Sequence, residues 1–423
     1  MKSITTAMAA GALVILPASI VPAVATAADF YSGKTVTMYI TSGVGGSVDL
    51  MSRLGTRHLA DHIPGHPSVI AKNKDGAGGI VGANYLYLNA PKDGTEIGSS
   101  LMTVPFEPLF YGDRSVAKFD PLKFNWIASP AKFISVSIAW HTSPIKKAED
   151  LLTHEMLVGS SGAGSASTID SFVMRNILGF KYHVIMGYPS GSDIDLAMER
   201  GETEGRASDA WAGITSRHPD WLRDGTIRVL YQMGLTKHQG IPDSVPLGID
   251  FAKNPEDRAV LKLKMASFEI GYPIFAPPGV PAERVALLRK AYADTFKDPA
   301  FLADAKAAHV EVEPIAGETV DAILKEAYGA PAAIKARLVE ASLPPGKLDQ
   351  AKTVTVSSTI SEIGKKGMIA FTADGKPAHA RIAKKTKVTV AGQKADGKAI
   401  EVGMACEIEY YGDKGQAKAV ACR

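Results

Sequence analysis

The chain has 423 residues and is nearly neutral, with 47 Lys and Arg residues against 44 Asp and Glu residues and a formal net charge of +3. This length is too great for one typical hydrophobic core, so we expect two or three domains. Residues 28–346 hold 32 basic and 36 acidic residues, whereas residues 347–423 hold 14 basic and 8 acidic ones. The main body is therefore not expected to bind nucleic acid, and the C-terminal tail is mildly basic.

The N-terminal segment predicts export from the cytoplasm. An apolar run at residues 7–24 follows a single charge at Lys2, and residues 25–27 (Ala-Thr-Ala) form a small-residue cleavage site. One glycine and two prolines interrupt the run, which disfavours a retained membrane anchor. We expect a signal peptide at residues 1–27 and a soluble mature protein that begins near Ala28 and lies outside the cytoplasm.

A strand, a glycine-rich loop and a helix follow the signal. Residues 35–41 are β-branched and aromatic, residues 42–47 form the loop, and apolar side chains at helical spacing continue to residue 63. The first N–H groups of a helix have no internal partner and attract anions, so the loop is a candidate anion site. Its glycines match neither a Walker A loop nor a dinucleotide fingerprint. A tight turn without a ligand is the alternative.

The same pattern recurs along the chain and predicts parallel sheets covered by helices. Strands are expected at residues 68–71 and 95–101, and an apolar run at residues 127–140 carries the chain towards a second lobe. There, a strand at residues 156–159 leads through a loop of small and hydroxyl residues into a helix at residues 169–178. Two such loops from two lobes would clamp a small anion beyond the carboxyl ends of the strands.

The rest of the body continues the alternation of strands and helices up to a Pro-Pro-Gly linker signal at residues 344–346. Strands are expected at residues 182–186 and 227–233, and helices at residues 192–200, 282–296, 299–308 and 320–338. Tyr188 and Trp211 either wall the cleft or belong to the core. Asp209 either accepts a hydrogen bond from a ligand hydroxyl or amine, or is an exposed turn residue.

Short strands with Asp-Gly and Gly-Asp turns fill the tail, which predicts a small all-β barrel of OB or SH3 size at residues 353–423. The chain has two cysteines, Cys406 and Cys422, and both lie on the last two predicted strands. In an exported protein such a pair suggests one disulfide, and a hairpin that turns near residues 413–414 places the two roughly opposite each other.

Two alternatives involve metal or catalytic chemistry. His58 and His62 share a helix face, but no further ligand completes a metal set, so a solvated face is favoured. Residues 159–163 nearly match a nucleophile elbow, but Ala163 replaces the last glycine, and the later histidines have no supporting context. The sequence therefore predicts no catalytic residues, no cofactor and no metal site.

Five motifs together resemble the periplasmic solute-binding receptors of the tripartite tricarboxylate transporter family, the Bug-type receptors. They lie at residues 31–36, 45–49, 73–79, 90–94 and 276–281. The resemblance implies a two-lobed α/β fold of the type II periplasmic-binding-protein class, which closes on a small carboxylate. It implies one set of ligand-binding residues from the first loop (Gly43, Gly45, Gly46 and Ser47) and one from the second lobe (Ser161, Gly162, Ala163, Ser165, Thr168 and Asp209). Tyr188 joins the expected ligand-binding residues because its loop lies towards the site.

The domain boundaries follow from this resemblance and from the change, in the tail, from alternating strands and helices to short strands and turns. We expect the first lobe at residues 28–130 and 269–343, the second lobe at residues 131–268, a linker at residues 344–352 and the β-barrel after it.

The leading functional hypothesis is a monomeric receptor that captures a small organic carboxylate and hands it to the membrane permease subunits of such a transporter. One alternative is a ligand-sensing protein whose tail recruits a partner or an envelope surface. Deleting residues 347–423 should then spare ligand affinity. The other alternative is an enzyme that acts on a carboxylate in the same cleft.

Overall fold

The structure, a computed structural model, describes residues 30–44, 46–162, 165–344, 346 and 349–423. The predicted signal at residues 1–27 lies outside the described residues. Within the described ranges, no helix combines the length and the apolar composition that a bilayer crossing requires.

Residues 35–129 alternate between strands and helices, as predicted. The helix at residues 103–111 was not predicted, because it contains Pro105 and Pro108 and so gives a weak helix signal. The elements are β1 (Thr35–Ile40), α1 (Ser47–His62), β2 (Ser68–Asn73), α2 (Ile80–Leu88), β3 (Glu96–Ser99), α3 (Thr103–Tyr111) and β4 (Asn125–Ser129), with 3-10 helices at Ala77–Gly79, Gly112–Arg114 and Pro121–Lys123.

The predicted apolar run at residues 127–140 divides into β4 and the first strand of a second set of elements. The second set ends in a long helix that the sequence analysis did not predict. The elements are β5 (Ser135–Trp140), β6 (Met156–Gly159), α4 (Ala166–Leu178), β7 (Tyr182–Met186), α5 (Gly191–Glu199), β8 (Gly205–Ala210), α6 (Trp211–Arg217), α7 (Pro219–Arg223), β9 (Ile227–Met233) and α8 (Pro255–Ile270), with 3-10 helices at Ala148–Leu152 and Gly248–Phe251.

The chain then returns to the first set of elements. The prediction of one helix over residues 320–338 is wrong, because two helices separated by Gly329, Ala330 and Pro331 occupy this region. Proline has no N–H and disfavours helical geometry in the residue before it, so the first helix ends there. The elements are β10 (Ile274–Ala276), α9 (Ala282–Thr295), α10 (Pro299–Ala307), β11 (Ile315–Ala316), α11 (Gly317–Tyr328) and α12 (Ala332–Ala341).

Two mixed sheets organise these elements. The first sheet has the order β11-β4-β10-β3-β1-β2, and the second has β7-β6-β8-β5-β9 with one further short strand beside β7. Within each sheet the strands linked by helices are parallel, as predicted. The strands next to the crossovers run antiparallel to them, so neither sheet is purely parallel.

The two crossover segments lie against each other between the sheets. The N–H of Phe133, on the outgoing segment, donates to the carbonyl of Phe268 at 2.9 Å. Gly271, on the returning segment, has φ of +50°, and a Cβ at this position would lie 1.8 Å from the Ala131 carbonyl oxygen. Glycine is required here because both the backbone conformation and the close approach exclude a side chain.

The tail contains short strands, as predicted. We call residues 353–423 the C-terminal β region. Its five-stranded and three-stranded sheets share one hydrophobic cluster, and closure into a barrel stays a prediction. Before this region lies β12 (Asp349–Gln350). The strands of the region are β13 (Val354–Thr359), β14 (Glu362–Ile363), β15 (Met368–Ala373), β16 (Lys376–Arg381), β17 (Lys387–Val390), β18 (Gln393–Lys394), β19 (Ala405–Tyr410) and β20 (Ala417–Cys422), with 3-10 helices at Lys365–Gly367 and Gly397–Ala399.

The predicted disulfide between Cys406 and Cys422 is confirmed. The two residues face each other in the antiparallel register of β19 and β20. The predicted linker has structure of its own, because β12 pairs in parallel with β7 and so extends the second α/β sheet.

Candidate functional site

A cavity of about 490 Å³ opens at the carboxyl ends of β1, β7 and β8, and we call it the cleft cavity. Residues from both sets of elements, mostly in helices and loops, and from both crossover segments line it. Its volume is in the range of small-molecule sites, and its place agrees with the rule that open α/β sheets bind ligands beyond the carboxyl ends of their strands.

Two helix starts reach the cavity from opposite sides. Gly46 and Ser47 begin α1 in the first set of elements, and Gly191 and Ser192 begin α5 in the second. The positive end of each helix dipole therefore faces the cavity, together with N–H groups that have no partner inside the helix. This arrangement favours a negatively charged or hydrogen-bond-accepting ligand.

Tyr272, on the returning crossover segment, lines the cavity together with Ser47 of the first helix start. Burial raises the pKa of Tyr272 above its ordinary value, and the nearby Ser47 side chain opposes part of this rise. The phenol is neutral at ordinary pH and can donate or accept a hydrogen bond.

Arg217 supplies a positive charge at the cavity wall. Its guanidinium Nε donates to Asp195 at 2.8 Å and its Nη2 donates to Asp209 at 3.0 Å. The side chain is 30 % exposed, whereas the Asp195 and Asp209 side chains are almost completely buried. Two carboxylates behind the guanidinium thus fix its position and leave it accessible from the cavity.

Asp209 itself lies behind the wall. Its carboxylate also forms an ion pair with the buried Arg206 at 2.7 Å and accepts the N–H of Ala210 at 2.9 Å. Burial raises the pKa of the Asp209 carboxyl, and the Arg206 and Arg217 guanidinium groups oppose this rise. Asp209 is therefore a partner of two arginines in this structure, and Arg217 is the group in the set that reaches the cavity.

The remaining charged groups at the cavity come from the crossover and from the chain after α10. Lys132 forms ion pairs with Glu269 at 3.2 Å and with Glu313 at 3.7 Å. Burial alone would lower the pKa of Lys132, but the two carboxylates, chiefly Glu269, raise it overall. This lysine is charged and is already neutralised by its partners.

A contact between the two halves of the body crosses the cavity margin. His238 follows β9, and its Nε2 lies 3.0 Å from Glu311, which follows α10. The His238 Nδ1 accepts the N–H of Gly240 at 3.1 Å, so Nε2 carries the proton and donates it to Glu311. His238, Glu311 and the neighbouring His309 all line the cavity.

Of the four predicted residues in the first loop, two line the cavity. Gly46 and Ser47 line the cavity, Gly43 is an exposed residue of the same loop outside the lining, and Gly45 lies outside the described residues.

The predicted second loop, residues 160–168, does not line the cavity in its described part. The Thr168 hydroxyl donates to the Gly162 carbonyl at 2.8 Å, and the Ser165 hydroxyl accepts the Thr168 N–H at 3.3 Å. The Ser161 carbonyl accepts the N–H of Gly187 at 2.7 Å. These polar groups bond to their own loop and to the next one, and Ala163 lies outside the described residues.

Tyr188 is 3 % exposed and packs against Ile194 and Ala197 of α5, away from the cavity. Burial raises its pKa to about 12, with a smaller contribution from the Glu202 charge. Trp211, in contrast, lines the cavity. The alternative core role is therefore the one that Tyr188 has in this structure.

A family comparison decides what kind of protein this is. The family model of the tripartite tricarboxylate transporter family receptors matches residues 57–324, more than half of the chain. The chain belongs to this family. The match ends before the C-terminal β region, so that region is an addition to the part that the family model describes.

Relatives of known structure share the fold of this receptor. A TctC solute-binding protein from Polaromonas is 18 % identical, covers 73 % of this chain and 99 % of its own, and superposes with a TM-score of 0.56. MatC from Rhodopseudomonas palustris with bound malate is 18 % identical, covers 73 % and 99 %, and has a TM-score of 0.53. Among relatives known by sequence, a UPF0065 protein of Bordetella bronchiseptica is 24 % identical over 65 % of this chain and 77 % of its own length.

Several cavity residues of the receptor escaped the sequence analysis. The start of α5 carried a usable signal, because Ser190 precedes Gly191 as an N-cap and its hydroxyl accepts the N–H of Asp193. Arg217 gave no signal, since its role depends on two carboxylates that are 22 and 8 positions away in sequence. Lys132 and Tyr272 reach the cavity because the crossover segments meet there.

Proposed function

We propose that the receptor captures a small organic carboxylate in the cleft cavity and delivers it to the membrane permease subunits of a tripartite tricarboxylate transporter. The observation that carries this proposal is the convergence of the α1 start, the α5 start and the Arg217 guanidinium on one cavity between the two sheets. Helix N–H groups and a guanidinium are both good donors to a carboxylate.

The ligand-binding residues divide into an inner and an outer group in this proposal. Ser47, Ser192 and Arg217 contact the carboxylate directly, together with the N–H groups at the two helix starts. The second loop, Ser161 to Thr168, acts as a support for β6 and α4, and it reaches the carboxylate only if the lobes close further than in this structure. Asp209 acts through Arg217.

Binding is proposed to favour a closed arrangement of the two lobes. The lobes are connected by the crossover segments at Gly271, and the next residue, Tyr272, lines the cavity together with Ser47 of the first helix start. A carboxylate that contacts helix starts on both sides stabilises the closed arrangement through contacts that the open one cannot make.

The proposal includes binding without chemical conversion. A serine hydrolase at residues 159–163 would need a histidine beside Ser161. His218 is instead 3.1 Å from Asp195 and stacks on Trp221 at 3.6 Å, and His238 is bonded to Glu311. The receptor is further proposed to work in the periplasm as a monomer, after cleavage of the signal near Ala27.

A thermal-shift screen of residues 28–423 tests the proposal. The panel contains malate, other mono-, di- and tricarboxylates, aromatic acids and amino acids. A carboxylate at 100 times its dissociation constant adds about 2.7 kcal/mol to the free energy of unfolding, which is an easily measured shift. A folded protein that responds to none of the carboxylates would contradict the proposal. Turnover of a bound carboxylate, followed by chromatography, would support an enzyme instead.

A further inference from the structure

The C-terminal β region contacts the helix whose start lines the cleft cavity. This helix, α5, places Gly191 and Ser192 at the cavity. The next residue, Asp193, is 1 % exposed and faces the C-terminal β region. The region outside the family match therefore lies directly behind a wall of the proposed binding site.

One carboxylate joins the two parts. Asp193 accepts the Ser190 hydroxyl at 2.5 Å, which fixes the turn before α5. The same carboxylate accepts Nη2 of Arg381 at 3.2 Å and the backbone N–H of Gln416 at 3.0 Å. Asp193 thus shares its two oxygens between the start of α5 and the C-terminal β region.

The opposite end of α5 is held in the same way. The guanidinium of Arg200, the residue after the helix, donates to the carbonyls of Tyr411 at 3.0 Å and Asp413 at 2.9 Å. A Cβ on Gly412 would lie 2.9 Å from this guanidinium, so the turn fits closely around it. The C-terminal β region therefore contacts α5 at both ends.

The connection before the β region covers the loop that leads into α5. β12 pairs with the end of β7, and the N–H of Ala351 donates to the Met186 carbonyl at 2.5 Å. Ala351 also packs on the cluster formed by Tyr188, Ile194 and Ala197. The β7–α5 connection is thus covered by residues that follow the family match.

We propose that the C-terminal β region is part of the ligand-binding unit, and that Arg381 is a positioning residue that holds Asp193 and, through it, the start of α5 at the cavity. The proposal rests on the proposed function and extends it. It replaces the alternative in which the tail only recruits a partner and its loss leaves ligand affinity unchanged.

The physical reason is the marginal stability of a short helix. α5 has nine residues, and an isolated helix of this length does not hold its own conformation in water. A buried carboxylate that loses a charged partner must regain solvation, and the simplest way is a movement of the α5 start towards water. Such a movement displaces Gly191 and Ser192, which are adjacent in sequence.

The test uses the full mature chain and titration with malate, or with the carboxylate that gives the largest shift in the screen above. In Arg381→Ala we expect affinity to fall about 2- to 30-fold, the range of coupling through such networks. Arg381→Lys, which keeps the charge, should recover part of the loss. The matched control is Lys418→Ala, which removes a cation whose partner, Glu409 at 2.7 Å, belongs to the same β region. Wild-type affinity in Arg381→Ala would overturn the proposal.

A double variant separates positioning from general loosening. If Arg381 acts through Asp193, then Arg381→Ala should change affinity less than about twofold in an Asp193→Asn background. Full additivity of the two substitutions would overturn the positioning role.

A second readout needs no ligand. Hydrogen exchange of amides 191–196 in the ligand-free protein should become faster in Arg381→Ala and stay unchanged in Lys418→Ala. If no carboxylate binds wild-type protein, the proposed function fails, and exchange still decides whether Arg381 positions α5. Unchanged exchange in Arg381→Ala would overturn the positioning role even if carboxylates bind.

Discussion

The loops that follow β6 and β7 in the second sheet each lead from a strand into a helix, but they contact different parts of the molecule. The loop after β6 is rich in serine and glycine and bonds mainly to itself through Thr168, Ser165 and Gly162. The loop after β7 is shorter and has one cap, Ser190, yet its helix start lines the cavity. Hydroxyl content alone is therefore a poor guide to a binding loop, because hydroxyls also satisfy the backbone of their own turn.

The surroundings of the two helices account for this difference. Behind α5 lie Arg206, which contacts Gly191, and the C-terminal β region, which contacts Asp193. Behind α4 lies a fully buried ion pair of Asp170 and Lys264 at 2.7 Å, which joins α4 to α8. The first environment positions residues at the cavity, and the second connects parts of the body.

The largest expected effect concerns the positive charge at the cavity wall. Arg217→Met should weaken binding of the carboxylate that gives the largest thermal shift about 10- to 100-fold, because hydrogen bonds to charged groups contribute about 1.5–3 kcal/mol each. Isothermal titration calorimetry measures the change. Arg223→Met is the control, since Arg223 pairs with Asp224 on an exposed surface outside the cavity. Equal affinity in the wild type and Arg217→Met would show that the guanidinium does not contact the carboxylate.

A matched pair of glycine substitutions compares the two loops directly. A Cβ on Gly191 would lie 3.2 Å from Nη1 of Arg206, whereas a Cβ on Gly162 would meet no atom of the described residues within 4 Å. Gly191→Ala should therefore weaken binding of the same carboxylate by about fivefold or more through displacement of Arg206 or of the helix start. Gly162→Ala should bind as the wild type does. Weaker binding by Gly162→Ala than by Gly191→Ala would contradict the assignment of the cavity to the loop after β7.

The smallest expected effects come from two hydroxyl deletions, one of which should change mainly stability and the other mainly ligand affinity. Thr168→Val removes a buried hydroxyl that donates to Gly162 and should lower the free energy of unfolding by about 1–2 kcal/mol without changing affinity. Ser192→Ala should leave stability within about 0.5 kcal/mol and lower affinity a few-fold. Chemical denaturation and calorimetry on both variants measure the two quantities. If Thr168→Val instead lost affinity and kept its stability, the second loop would have to contact the ligand directly.

The sequence was informative where the signal was local. The first strand, the helix after its glycine-rich loop and the tail disulfide all depend on short patterns, and the same loop pattern pointed to Gly46 and Ser47, which line the cavity. The signal failed where a role depends on distant partners. The position of Arg217 depends on hydrogen bonds to Asp195 and Asp209, and Asp193 pairs with Arg381, which is 188 positions away. A pattern at helix or strand period does not encode such pairs.

The most direct test of the account is a crystal structure with bound malate, or with the carboxylate that gives the largest thermal shift. The account predicts carboxylate oxygens within hydrogen-bonding distance of Ser47, Ser192 and the Arg217 guanidinium, in the cleft cavity. A carboxylate held instead by Ser161, Ser165 and Thr168, with Arg217 still bonded only to Asp195 and Asp209, would contradict it.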